Sequence, residues 1–385
     1  MLRAGLILVF FGLINFYAAA RIIGRWPWAE QHATGAWLAV LAFFVLQMLA
    51  PFGDRLVFKK LRKRPRMAAV VSALDRVSYT AFGVMSLLVV YGIAIDIVRI
   101  VLELADPYFN IFVFDRYALY AIFATTLATT VIGIAYVLRG PQVVEVTVPL
   151  AHLPEALDGF RIVQISDLHV GAAIRKRYVQ KVVDMANDLK PDLIALTGDF
   201  VDGDVDDLLE DIAPLSGLRA SEGVFFVTGN HEYYSGVHQW LGIFEEHGAR
   251  ILLNTHTVIT RENGAFVLAG VTDYKAADIV PAHATDPAKA MAGAPAGLVS
   301  ILLAHQPFSY RKAAEAGFDV QLSGHAHGGQ YFPFTFLVRF FQHYYKGLEK
   351  YENMWIYVNR GTGYWGPPFR TGRPCEITLM TLRRA

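Results

Sequence analysis

The chain has 385 residues, 54% hydrophobic, 13% aromatic and only 18% charged, with a mean hydropathy of +0.35; that is too apolar for disorder or an ordinary soluble protein. One cysteine excludes a disulfide framework and any thiolate metal cluster, and fits a reducing compartment. The net charge of +1 conceals two halves: residues 1–140 hold 14 Lys and Arg against 7 Asp and Glu, the remainder 21 against 27. The acidic remainder speaks against nucleic acid as a partner, since phosphate-backbone binding needs excess cations.

Residues 1–140 read as a four-helix transmembrane anchor. Uncharged apolar stretches at 4–20, 31–53, 78–95 and 117–138 approach the roughly 20 residues a helix needs to cross a bilayer. Arg55, Lys59, Lys60, Arg62, Lys63, Arg64, Arg66 and Arg76 crowd the second connection. The first has only Arg21 and Arg25, and the third has Arg116 beside Asp106 and Asp115. The basic connection is therefore expected in the cytoplasm, with both termini and everything after residue 140 on the same side of a bacterial-type inner or plasma membrane. It also suits anionic lipid. Ala18, Ala19 and Ala20 mimic a signal-peptidase site, whose use would leave the other helices as they are. Asp96, Arg99 and Glu103 share a helical face near its outer end and are expected to pair with one another.

Residues 141–385 read as an α/β domain. Gly140-Pro141 breaks the last apolar helix, and 143–148 alternates as a strand. Strand candidates follow at 160–165, 193–197, 224–228, 266–270, 301–304, 320–323 and 377–382. Val179, Val182, Val183, Ala186 and Leu189 form a helical stripe, and 238–247 a second helix. Such alternation implies a sheet with helices on its faces.

The chemistry lies where these strands end. Five run into metal-binding residue types: Asp167 and His169; Asp199; Asn230, His231 and Glu232; His305; His325 and His327. Open α/β sheets form sites just beyond the carboxyl ends of their strands, so these side chains aim at one place. Glycines before Asp199, Asn230 and His325 permit tight turns. Even two carboxylates, a carboxamide and four histidines from this set exceed the needs of one ion, and two divalent ions of the Mn, Fe, Zn or Mg type fit better. Ions about 3.5–4 Å apart can bind a phosphate oxygen, activate a bridging water and stabilise in-line displacement. A shared carboxylate must hold them that close, and Asp199 is the candidate.

The series D-x-H, G-D, G-N-H-E, H, G-H-x-H resembles that of the calcineurin-like metallophosphoesterases, from about residue 143 to the end. The resemblance implies a two-sheet sandwich flanked by helices with a dinuclear centre at one edge. It assigns Asp167, His169 and His327 to the first metal, Asp199 to the bridge, and Asn230, His305 and His325 to the second. His231 resembles the residue that protonates the leaving oxygen. Glu232 stands where many relatives have Asp, and its implied task is to orient His231 or a ligand. The string 323–330, SGHAHGGQ, and RPCEI at 373–377 are similar to the membrane-associated branch that includes UDP-2,3-diacylglucosamine diphosphatases. That branch has Pro where this chain has Cys375.

Other features bear on the substrate. The aromatic segment 331–345 is a candidate lip for acyl chains or the bilayer surface, or else packs as core. G-x-G-x-x-G at 361–366 precedes Pro367-Pro368, which forbids the helix a nucleotide loop needs, so a turn is expected. Arg360, Arg370 and Arg373 around it, and Arg339 within the aromatic segment, are candidate contacts to a diphosphate. The acidic run Asp202, Asp204, Asp206 and Asp207 lacks the glycine of a calcium loop and reads as solvated. The sequence thus leads to a membrane-anchored dimetal phosphoesterase acting on a phosphodiester or diphosphate, with UDP-2,3-diacylglucosamine as the leading lipid-linked substrate. A tethered enzyme for a soluble nucleotide or other small phosphoester, or an inactive membrane receptor or scaffold, are the alternatives.

Overall fold

The computed structural model describes residues 2–26, 31–53, 61 and 64–385. Arg55, Lys59, Lys60, Arg62 and Lys63 of the basic connection lie outside the described residues. The chain divides into two units, one of residues 1–135 with 366–369, the other of residues 136–365 with 370–385.

Among the described residues, four long helices precede the strands: α1 (Leu2–Arg25), α2 (Ala33–Gly53), α3 (Pro65–Ala105) and α4 (Ile111–Arg139). Each carries a window apolar and long enough to cross a membrane, and at most 33% of any window is buried within the protein. Apolar helices that face outward over most of their surface need a lipid solvent, and a helix satisfies its own backbone there. Polar side chains are held between helices instead. Asn15 and Gln47 exchange amide hydrogen bonds of 3.2 and 2.8 Å, and Ser78 accepts from the Ala50 amide at 2.8 Å.

The charged cluster differs from the expected one. Arg99 does pair with Glu103 at 2.6 Å, but Asp96 is taken by Arg25 and Arg21 of α1. Asp115 of α4 bridges Arg25 at 3.1 Å and Arg99 at 2.9 Å. Three helices thus neutralise what one helical face suggested. Arg66 and Arg76 lie within α3, and Asp115 and Arg116 within α4, rather than in connections. Ala18, Ala19 and Ala20 lie inside α1, with Ala18 and Ala19 buried.

The second unit is a two-sheet sandwich. Its strands are β1 (Gln142–Leu150), β2 (Arg161–Ile165), β3 (Leu193–Thr197), β4 (Val224–Val227), β5 (Ala249–Ile251), β6 (Thr255–Arg261), β7 (Gly264–Gly270), β8 (Val299–Leu303), β9 (Val320–Ser323), β10 (Gly347–Tyr351), β11 (Met354–Val358) and β12 (Glu376–Arg384). One sheet runs β1-β12-β2-β3-β4-β5, the other β10-β11-β9-β8-β7-β6. Side chains alternate between two cores, as the period of a strand requires. Ile162, Leu193, Ala195 and Phe225 meet Leu268, Ile301 and Leu322 between the sheets. Val163, Ile194, Leu196 and Phe226 pack outward on α5 (Lys176–Asp188), α6 (Val205–Ile212) and later helices. Burial on both faces explains the apolar runs 193–196 in β3 and 301–303 in β8.

The helical stripe falls on α5, with Val179, Val182, Val183 and Ala186 buried. β5, β6 and β10 escaped the sequence reading. All three are sheet-edge strands, short or half-exposed, and their apolar signal is weak.

Candidate metal centre

β2, β3 and β4 run parallel in one sheet and β8 and β9 in the other, so five carboxyl ends reach one edge of the sandwich. Buried side chains join the sheets there. Gln164 donates to Thr197 Oγ1 at 2.8 Å and to the Ser323 carbonyl at 2.9 Å, and His305 Nδ1 lies 2.7 Å from the Thr197 carbonyl. Beyond the strands the backbone turns sharply: Asp167, His169, Asp199, His325 and His327 all have positive φ, from 48° to 67°. Non-glycine residues held in this region carry strain of about 1–3 kcal/mol each, a burden concentrated at functional sites. Two glycines make the close approach possible. A Cβ at Gly229 would run into Asp199 Oδ1, and one at Gly324 into Ser166 Oγ and Asp167 Oδ2.

Three overlapping groups result: Asp167, His169 and His327; His169, Asp199 and His231; Asp199, His305 and His325. The ligand atoms of each lie within 4.8 Å of one another. His169 Nε2 and His327 Nε2 are 3.0 Å apart. Asp199 Oδ2 lies 3.0 Å from His305 Nε2, 4.0 Å from His169 Nε2 and 3.9 Å from His231 Nε2. Asn230 stands beside them, buried at the start of α7 (Asn230–Tyr234).

Asn230 Oδ1 is buried with no hydrogen bond, a costly state for a polar atom. Nitrogen lone pairs that converge at such distances repel unless a proton or cation lies between them. An oxygen and imidazole donor set of this kind fits hard or borderline divalent ions, so the residues present suit the metals the sequence implied.

The electrostatics divide the ligands: burial would lower His305, but the Asp199 carboxylate holds it well above the usual histidine range, whereas other ligands are kept unprotonated. Burial opposes ionisation of Asp199, but His305 and His231 outweigh it and hold its carboxyl well below the usual range. Burial, His169 and the Arg370 guanidinium keep His327 well below the usual histidine range, so its ring is neutral. Burial and His305 bring His325 down to about 3. Neutral imidazole is the form that binds metal.

Two carboxylates organise the surroundings. Asp202 Oδ1 lies 2.9 Å from His169 Nδ1 and 2.6 Å from His231 Nδ1. It therefore turns both Nε2 atoms toward the cluster, as partners of metal-bound imidazoles do. Against the penalty of burial, Asp199 and Asp202 push His231 up to about 9. This role corrects the reading of Asp202 as part of a solvated run. The available signal was its place three residues after Asp199, in a loop that returns to the site. Glu232 does something else: it accepts from the backbone amides of Asp199 at 2.9 Å, Phe200 at 2.7 Å and Gly229 at 2.6 Å. It ties the loop after β3 to the loop after β4 and does not hold the His231 ring.

The arginines separate. Arg370 is 1% exposed; its Nη2 donates to the Gly363 carbonyl at 2.9 Å and lies 3.1 Å from His327 Nδ1. Arg373 is exposed. Arg339 is exposed too, its guanidinium lying 5.1 Å over the Phe340 ring. The aromatic segment divides into buried Tyr331 and Tyr344 and exposed Phe334, Phe336, Phe340 and Phe341, the last two 71% and 76% exposed. The 361–366 stretch is a turn with no helix after it, as Pro367-Pro368 requires.

Residues 160–329 match the family model of the calcineurin-like phosphoesterases. The chain is 36% identical over 268 residues to a zebrafish (Danio rerio) protein named transmembrane protein with metallophosphoesterase domain, covering 68% of this chain and 61% of that protein. It thus spans about three fifths of that relative's length. It is 32% identical over 244 residues to an uncharacterized metallophosphoesterase of Aquifex aeolicus, covering 63% of this chain and 92% of that protein. A phosphopantetheinyl hydrolase structure from Mycobacterium tuberculosis aligns with 13% identity and a TM-score of 0.34 over 52% of this chain and 88% of that one. With a relative matched over nearly its whole length, and Asp167, His169, Asp199, Asn230, His305, His325 and His327 gathered at one sheet edge, the chain belongs to the calcineurin-like metallophosphoesterase family.

Proposed function

We propose that the protein is a membrane-anchored hydrolase that uses two divalent ions to cleave a phosphodiester or diphosphate bond in a membrane-borne substrate. The observation that carries this reading is a chain of three ligand groups, each with its atoms within 4.8 Å of one another, linked by His169 and by Asp199. Asp167, His169 and His327 are assigned to one ion, Asn230, His305 and His325 to the other, and Asp199 to both. Such ions supply charge that stabilises phosphoryl oxygens and makes water nucleophilic at neutral pH. His231 keeps Nδ1 on Asp202 and directs Nε2 at the reacting centre, from which it gives its proton to the leaving oxygen. Transfer of that kind contributes about 10²–10⁴ in rate. Glu232 fixes the amides on either side of Asp199 and so keeps the shared carboxylate in place.

A lipid-linked substrate, of which UDP-2,3-diacylglucosamine is an example, is supported by the four apolar helices and by the exposed Phe334, Phe336, Phe340 and Phe341. The excess of Lys and Arg between residues 55 and 66 supports a cytoplasmic phosphoesterase unit.

The test is to purify the full chain in detergent, measure bound metal, and assay an aryl phosphodiester, nucleotides and UDP-acylglucosamines with manganese. Asp199→Asn is expected to lose bound metal and to lose more turnover than the roughly 10–100-fold typical of residues that act through a ligand. Native protein that holds only traces of metal, or an Asp199→Asn variant with full turnover, refutes the proposal.

A further inference from the structure

His231 has neighbours of two kinds. Asp202 holds its Nδ1 at 2.6 Å, and the buried His169 ring meets it edge-on at 4.6 Å; both serve the metal centre. The others are Tyr234, at the end of α7, with ring centroids 5.3 Å apart, and Trp365 at 5.8 Å, each steeply inclined to the imidazole. Tyr234 is 64% exposed and Trp365 51%. A large ring left half in water forgoes the burial that makes aromatic side chains stabilising, so packing does not account for its place beside the proton donor.

The indole is firmly mounted. Gln330 grips the backbone of Trp365 twice: its Nε2 donates to the Trp365 carbonyl at 2.9 Å, and its Oε1 accepts from the Trp365 amide at 3.1 Å. The turn leading to it is fastened to the loop after β2, the Thr362 amide donating to the Ser166 carbonyl at 2.7 Å and the Gly363 amide to the Asp167 carbonyl at 3.0 Å. A Cβ at Gly363 would run into the Leu168 carbonyl, so glycine lets the turn lie directly on the segment that carries Asp167 and His169. An exposed ring on so fixed a backbone is preorganised, and little freedom is lost when something binds to it.

We infer that Trp365, with Tyr234 beside the same imidazole, is the specificity-determining wall for the leaving group: the group expelled from phosphorus carries a ring whose flat face lies on the indole. This rests on the proposed function, in which His231 gives its proton to the leaving oxygen. That oxygen must come within about 3 Å of His231 Nε2, so the atoms bonded to it emerge among the rings around His231. His169 is buried and committed to metal, which leaves the exposed Tyr234 and Trp365 to meet them. Aromatic faces attract flat rings by dispersion and offset stacking, and a small ring-free leaving group gains little from them. The glycine turn at 361–366 thereby has a task, to present the indole next to the proton donor.

The full chain, metal-loaded in detergent, is assayed with phenyl methyl phosphate and trifluoroethyl methyl phosphate. Methanol is the poorer leaving group in both, so phenol or trifluoroethanol departs. Trp365→Ala is expected to lower the ratio of kcat/KM values, phenyl over trifluoroethyl, at least about tenfold, or about 1.4 kcal/mol, within the scale of ring stacking on an aromatic side chain. Trp365→Phe, which keeps a flat face, is expected to restore most of that ratio. A ratio that holds or rises in Trp365→Ala overturns the inference. A rise is what a displaced His231 would give, since trifluoroethanol needs the proton more than phenol does. A Phe variant no better than the Ala variant overturns it too. If metal-loaded native protein cleaves neither ester, the proposed function fails, and the affinities of the uncleaved esters read the wall instead: Trp365→Ala must weaken the phenyl ester selectively, and equal weakening of both, or of neither, overturns the inference as well.

Discussion

Replacing Asp202 by Asn tests how this centre handles protons. One oxygen of Asp202 reaches two imidazoles, at 2.6 Å from His231 Nδ1 and 2.9 Å from His169 Nδ1. An opposite charge this close moves a pKa by about 1–3 units toward the charged form. His231 stands at about 9 with Asp199 and Asp202 as its countercharges. Without the Asp202 charge it should fall to roughly 6–8 by the same rule. A general acid works only while protonated, so rate is lost as pH rises through its pKa. The alkaline limb of kcat should therefore move to lower pH in Asp202→Asn, by about 1–3 units. At neutral pH kcat should drop by about 10–100-fold, the usual effect of removing a partner that orients a ligand or catalytic imidazole. Two phosphodiesters separate the contributions. A poor alkoxide leaving group needs the proton and should suffer most, whereas nitrophenolate leaves unaided and should suffer least. Bound metal, measured in parallel, shows whether loss of support for His169 explains the result. An unmoved alkaline limb, or equal loss on both esters at unchanged metal content, would refute the reasoning.

Two further outcomes follow from packing and charge. Gly229→Ala places a methyl group against Asp199 Oδ1 and 2.5 Å from its amide nitrogen. Overpacking of this kind costs about 1–3 kcal/mol, so the melting temperature should fall and bound metal decrease together; an unchanged metal content would show that the loop yields elsewhere. Arg25→Ala leaves Asp96 and Asp115 without a shared cation. Asp96 keeps Arg21 and Asp115 keeps Arg99, so the cost stays below the roughly 3–5 kcal/mol of a wholly broken buried pair; thermal unfolding of the helical unit in detergent should begin earlier, while turnover of a soluble aryl diester by folded protein should persist.

Much of the candidate site was legible because its residues follow strands directly. Once a run such as 193–197 is read as a buried parallel strand, the residue just past its end is already placed at the sheet edge. Asp167, Asp199, His305 and His325 needed no knowledge of long-range contacts to be nominated. The longest apolar stretches were equally legible, since a bilayer demands length and apolarity and little else. Pro367-Pro368 settled the fate of the glycine run by local geometry alone.

What the chain by itself determined was therefore the local alphabet: which segments are apolar helices, which are strands, and which donor atoms stand at their ends. Tertiary structure decided the partners. Asp202 could be known as the carboxylate on His169 and His231 only after the loop beyond β3 closed over the site. Asp96 turned from its helical neighbour Arg99 to Arg25, 71 positions earlier, because side chains three or four apart share a face but the stronger neutralisation came from another helix. Arg370 became a buried cation beside His327, 43 positions away. Spacing along a strand or helix is set by backbone geometry and is written locally; the meeting of charges across elements depends on packing, which no local pattern records.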